Sequence, residues 1–295
     1  MLDTNALWII LTGAIIAINC SILGSFLMLR KMAMLADAIS HAVLPGIVIA
    51  FLFTGERNNL PMLLGAAIFG LLTVLIIEYL SKKIKLQNDA AIGVTFTFLF
   101  ALGIILISLF AGQVDLDQDC VLYGEIAYVP LDLIILDNGW QLGPTTLITA
   151  LGLLVIILVG LSRAYKGFYI TTFNADYAVS LGISVVTWQY VLMGAVSVNT
   201  VVSFEAVGAI LVVAFLIVPP ATAYLLTSSL KKMIWLACFF GILSAIGGYY
   251  VAVWLNSSIS AAMACVAGLF FAIALLFGPK GFFKKKKSKV MAFTE

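Results

Sequence analysis

The sequence is poor in charge: Asp, Glu, Lys and Arg make up 10% of its 295 residues, while hydrophobic residues make up 63%. That balance excludes a soluble globular domain of this length and a basic surface for nucleic acid. There is one histidine, His41, so no H-E-x-x-H metalloprotease pair can form. There is no G-x-x-x-x-G-K-[ST] loop and no hydrophilic stretch long enough for a nucleotide-binding domain, so an enzymatic ATPase role for this chain is excluded and any ATP hydrolysis belongs to a partner. The four cysteines, Cys20, Cys120, Cys238 and Cys265, are far apart and match neither zinc nor redox spacing; they read as packing residues. No run alternates polar and apolar residues, which excludes a membrane barrel.

What the chain does have is a succession of apolar runs of roughly 20 residues, each long enough to cross a hydrocarbon layer of about 30 Å as a helix. They fall at about 6–28, 33–54, 62–81, 91–111, 144–162, 185–203, 207–227, 233–255 and 259–278. The reading is an all-α polytopic membrane protein of eight or nine spans, forming one transmembrane domain over 1–295. The first run lacks a basic n-region and a small-residue cleavage site, and is expected to be retained as a span. Region 113–143 is apolar but carries Glu125, Asp132 and Asp137. A short re-entrant or interfacial helix is expected there rather than a full crossing.

The loops alternate in charge. Arg30-Lys31, "SKKIK" at 81–85, "SRAYK" at 162–166, Lys231-Lys232 and the tail 280–295 are basic, whereas "TGERNN" at 54–59, "VDLDQD" at 114–119 and "NSS" at 256–258 are acidic or neutral. The positive-inside rule makes the basic side cytoplasmic, with the amino terminus outside and the carboxyl terminus inside. The "KKKK" of 284–287 reads as a solvated anchor beside anionic lipid.

Against this background "MLADAISHAVLPGIVIA" at 34–50 is anomalous, since Asp37 and His41 stand one helical turn apart inside a span. An ionised acid at mid-helix costs about 3 kcal/mol even on insertion scales. Positions i and i+4 share a face, so carboxylate and imidazole can hold one cation, with a donor set suited to Mn(II), Fe(II) or Zn(II). Counted from Arg30, a continuous helix puts the pair about 10 and 16 Å deep, with His41 near the midplane. Pro45 has no N–H to give the His41 carbonyl, so a bend is expected there, loosened further by Gly46. Ser40 could line the same pathway. A purely structural reading also stands, in which Asp37 and His41 bond each other or Ser40 at a helix contact. Two ligands are too few for any of these metals, and a symmetric pair of chains would supply four.

Other acids carry less. Glu205, between two apolar runs, is a second candidate for the pathway or an outer-loop acid. Glu78 in "IIEYLSKK" reads as an interfacial partner of the following lysines, and Asp115, Asp117 and Asp119 as an outer acidic loop. "TTFNADYAVSLGIS" at 171–184 predicts a short exposed helix with Gly182 as its C-terminal glycine, a handle for a partner or an ordinary connection.

Several stretches together resemble the membrane permeases of metal-ion ABC importers, the ABC-3 group. These are "LRKMAMLADAISHAVLPGIVIAF", "NDAAIGVTFTFLFALGIILIS", "TFNADYAVSLGI", "TVVSFEAVGAILVVAFLIVPPATAYLL" and "LLFGPKG", which span nearly the whole chain. The resemblance implies an ABC importer permease fold in the cell membrane, with manganese, or else zinc or iron, as substrate and no permanently bound cofactor. The implied partners are a second permease chain, identical or paralogous, two cytoplasmic ATP-binding subunits and an extracellular solute-binding protein. It places the intramembrane metal site on Asp37 and His41, and ATPase coupling on about Phe173 to Gly182, including Asp176 and Ala178. Asn174 departs from the Phe-Asp that usually opens this segment, and "SSISAAMAC" departs from the usual Pro/Ser/Gly-rich turn before the last span. The rival class is a proton-coupled secondary divalent-metal transporter using the same pair as ligand and proton relay.

Overall fold

The computed structural model describes residues 4–54, 59–110, 126–135 and 141–279. Among these, nine helices are long and apolar enough to cross a membrane. Helices are the outcome that lipid allows, because each satisfies its own backbone polar groups within one segment.

In chain order the elements are α1 (Thr4–Leu29), α2 (Met34–Ala42), α3 (Leu44–Thr54), α4 (Asn59–Lys82), α5 (Asn88–Phe110), a short 3-10 helix (Ile126–Leu131), β1 (Leu133–Ile135), β2 (Gln141–Pro144), α6 (Thr145–Phe173), α7 (Ala175–Ser180), α8 (Val185–Leu226), α9 (Leu230–Leu255) and α10 (Ile259–Phe277). α2 and α3 together make one span, Met34–Thr54, while α8 contains two, Val185–Phe204 and Ala206–Leu226. Just inside the second of these Gly208 adopts φ 79°, ψ 165°, a backbone region open only to glycine, and it breaks the helix there.

Two compact units share the chain. The first comprises residues 1–31, 125–154 and 210–295. Its core is α1 against α9 and α9 against α10. Ser21 Oγ donates to the Ala237 carbonyl at 3.2 Å and Asn19 Nδ2 to the Ala150 carbonyl at 3.0 Å. Such buried side-chain bonds fix the register of helices whose apolar surfaces alone would not. The second unit comprises 32–124 and 155–209 and contains α2 to α5, the rest of α6, α7 and the first arm of α8.

In the described part of 113–143, expected from sequence to hold a short helix rather than a full crossing, the helix is of 3-10 type and is followed by a hairpin. Residues 126–131 make a 3-10 turn around Pro130, and β1 pairs with β2 as an antiparallel hairpin, Leu133 opposite Pro144 and Ile134 opposite Gly143. Pro130 cannot donate a helical bond, and the β-branched Ile134 and Ile135 favour extended backbone. Asp115, Asp117, Asp119, Cys120, Glu125, Asp137, Arg57 and the basic tail lie outside the described residues.

Candidate functional site

α2 is nine residues long and nearly all of it is packed away. Leu35, Ala36, Ala38, Ile39, Ser40 and Ala42 are buried, and the helix rests on α4 and α5. Met34 at its start is exposed, and further along only Asp37 and His41 are not buried. Their side chains keep 45% and 30% of their exposure, on one face, with His41 Nε2 3.6 Å from Asp37 Oδ1. That separation exceeds a hydrogen bond, and it leaves both groups with lone pairs to offer. The imidazole leans on α5, its ring 6.0 Å from Phe96 and in edge contact with Phe100 at 5.6 Å. These two phenylalanines position the histidine and escaped the sequence reading because α5 is apolar all round; their i, i+4 spacing was the available signal.

Ser40 does not join that face. It is buried, and its hydroxyl donates to the Asp37 carbonyl at 2.7 Å, so it closes the helix rather than lining a path. Among the described residues no cluster of three or more His, Cys, Asp or Glu could hold a metal within one chain. The pair's depth also differs from the count made from Arg30. Residues 30–33 form a turn, with Lys31 at φ 58°, and the helix begins only at Met34. Asp37 and His41 therefore lie about 5 and 10 Å along the span, in its first third.

The helix is interrupted two residues before Pro45. Val43 N–H still donates to the Ile39 carbonyl, and α3 restarts with Gly46 and Ile47 N–H both donating to the Val43 carbonyl. The His41 carbonyl has lost its usual donor because residue 45 is a proline. Gly46 serves a tighter purpose than loosening. A Cβ there would lie 2.3 Å from the Gly65 carbonyl oxygen of α4, so α3 and α4 meet backbone to backbone. Glu205 lies on α8 between its two apolar arms, and its side chain is outside what is described.

The segment after α6 is built as a small rigid handle. Asn174 caps α7, its side chain accepting from Tyr177 N–H at 3.0 Å. At the other end Gly182 has φ 75°, and Ile183 N–H reaches back to the Ala178 carbonyl at 2.9 Å, the bond of a Schellman stop. Asp176, Tyr177, Val179 and Ser180 are exposed, but Ala178 is fully buried. Ala178 therefore seats the segment and cannot itself meet a partner. Phe173 is half exposed and continues a ladder of rings, 4.9 Å from Tyr169, which lies 6.0 Å from Tyr165. Loss of the cap in Asn174→Ala should cost about 1 kcal/mol locally, read as faster amide exchange across 175–180, while Asn174→Asp should leave it unchanged.

The stem below this handle is locked. A Cβ on Gly167 of α6 would lie 2.3 Å from Trp188 Cζ2 of α8, and Trp188 meets the neighbouring Phe168 edge-on at 4.8 Å.

A bundle of apolar helices, one of which offers an acid and an imidazole on its accessible face while a capped polar segment projects between two others, defines a membrane permease. The chain belongs to the ABC 3 transport family, whose pattern it matches over residues 3–278. It is 48% identical over 284 residues to the manganese transport system membrane protein MntD of Bacillus subtilis (strain 168), with 96% of each chain covered. With the zinc transport system membrane protein TroD of Treponema pallidum (strain Nichols) it shares 40% identity over 272 residues, covering 92% of this chain and 74% of that one. Among solved structures, PsaBC from Streptococcus pneumoniae in complex with Fab superposes with a TM-score of 0.79 at 33% identity, over 97% of this chain and 96% of the other.

Proposed function

We propose that this chain is the permease subunit of an ATP-driven importer that brings a divalent transition-metal ion into the cytoplasm, manganese ahead of zinc or iron. The observation that carries the reading is the accessible Asp37–His41 face on a largely buried membrane helix. A charge-bearing pair left open at that place is costly unless something polar faces it. A second permease chain, meeting the first across this face, would turn two ligands into four around a shared axis. Carboxylate oxygen with imidazole and no thiolate favours manganese on chemical grounds, in line with the cargo that names several of the relatives. The exposed Asp176, Tyr177, Val179 and Ser180 of α7, with Phe173 beside them, are the surface offered to cytoplasmic ATP-binding subunits, and an extracellular solute-binding protein would deliver the ion.

Proteoliposomes containing the permease, its ATP-binding subunits and the solute-binding protein test the reading. Manganese should accumulate only with ATP inside the assembly's cytoplasmic compartment, and a protonophore should leave the uptake intact. Uptake by the permease alone, driven by a proton gradient, would establish the secondary transporter instead.

A further inference from the structure

The two sides of α9 are built from different kinds of residue. Its inner side is a row of small ones, Ala237, Gly241, Ala245, Gly248 and Ala252, all buried. That row lies against α1 and α10, the other long helices of the first unit's core. A Cβ on Gly241 would lie 3.1 Å from Ala17 Cβ, and one on Gly248 would lie 2.3 Å from Met263 Cα. Small residues are what helices use to meet in lipid, because they let two backbones come close. α9 has committed its own to contacts within its unit.

The outer side is bulky instead. Phe239, Ile246, Tyr250 and Val253 are exposed, and steps of seven, four and three residues keep them on one face. From Met233 to Leu255 no residue is charged, and none of the exposed ones is Gly, Ala, Ser or Thr. Such a face holds a second helix at a distance, while acyl chains, as apolar as leucine, fit against any outline.

The ends of the face set its scale. Among the described residues two tryptophans are exposed, Trp235 at 79% and Trp254 at 81%, and α9 carries both. They stand 19 residues apart, about 28 Å along a helix, against about 30 Å for a hydrocarbon layer. Tryptophan collects at the two edges of that layer, where the ring body stays in an apolar setting and the indole N–H finds a polar partner. Just beyond the rings the chain turns polar. Lys231 and Lys232 precede Trp235, and Asn256, Ser257 and Ser258 follow Trp254, all of them exposed.

We infer that the outer side of α9, from Trp235 to Trp254, is covered by lipid acyl chains, with the two indoles at opposite interfaces of the bilayer. A second permease chain therefore packs elsewhere on the molecule. The inference needs only that the chain spans a membrane, so its failure would leave the importer reading standing.

The test uses the full assembly in phosphatidylcholine bilayers whose acyl chains carry bromine, which quenches indole fluorescence on contact. Brominated lipid should quench the wild-type emission, and Trp235→Phe/Trp254→Phe should lose most of the quenchable part. Bromine beside the headgroups should act on these two rings more strongly than bromine at the chain ends. Ile246→Trp, about 16 Å from Trp235 and about 12 Å from Trp254 along the helix, should add emission with the reverse preference. Phe239→Cys and Ile246→Cys should add no disulfide between two permease chains. Unchanged quenching in the double variant, or no quenching of the ring added in Ile246→Trp, would overturn the inference. So would a disulfide between chains at either position, which would show that another copy covers the face. Ile246→Trp is made in the otherwise unaltered chain, so it decides the matter even where the double variant is not recovered.

Discussion

Asp37→Ala and His41→Ala should each abolish manganese uptake in the reconstituted assembly while leaving membrane insertion and association with the ATP-binding subunits unchanged. Removal of an outer partner of a metal ligand already costs 10–100-fold in many sites, and loss of a ligand itself from a set of four should exceed about 100-fold. Asp37 projects from the open side of α2, whereas His41 also rests against Phe96 and Phe100 of α5, so fold stability should hardly respond to Asp37→Ala and should fall slightly in His41→Ala. Asp37→Asn separates charge from shape, since it keeps the outline of the side chain and removes the hard anionic oxygen that manganese favours. Undiminished uptake in both alanine variants would refute the site, and lost insertion would mark the pair as structural.

Gly46→Val should act by a different route and destabilise the second unit outright. The added Cβ would meet the Gly65 carbonyl oxygen at 2.3 Å and Phe69 Cβ at 2.9 Å, and a backbone carbonyl cannot rotate aside as a side-chain tip can. Overpacking of this kind costs about 1–3 kcal/mol, and more when backbone must move. The measurement is the melting temperature in detergent, which should fall clearly in Gly46→Val and by less in Gly46→Ala. Uptake should fall with it, because α3 continues directly from the helix that carries the pair. An unchanged melting temperature would mean that α3 and α4 are not pressed together in the membrane.

Much of this was legible beforehand, for identifiable reasons. Span positions follow from length and composition, which is why 91–111 was read close to α5, Asn88–Phe110. The same measure fails where a helix leaves the lipid. The run read as 144–162 is part of α6, which continues to Phe173 through "SRAYKGFYITTF", because hydropathy records the solvent and not the backbone. The common face of Asp37 and His41 follows from helical spacing, but its accessibility does not, since α4 and α5 decide which side of α2 is covered. Glu78 shows the same limit. Local spacing paired it with lysines, correctly for Lys82, while its burial depends on tertiary packing that spacing along one helix does not record. The family resemblance puts Ala178 within the docking segment, and the fold turns it inward. Asn174, a departure from the family's usual acid, performs the capping that an acid would.

The open face of α2 has a consequence for the life of the chain before assembly. A newly inserted copy, alone in the bilayer, presents an acid and an imidazole where lipid tails would otherwise lie, a state disfavoured for the ionised acid even in the first third of a span. If a second permease chain covers this face as proposed, pairing would remove that penalty, and part of the association free energy would be written into the unpaired subunit as its own discomfort. The residues proposed to bind the cargo would thereby also mark a permease that has not yet found its partner.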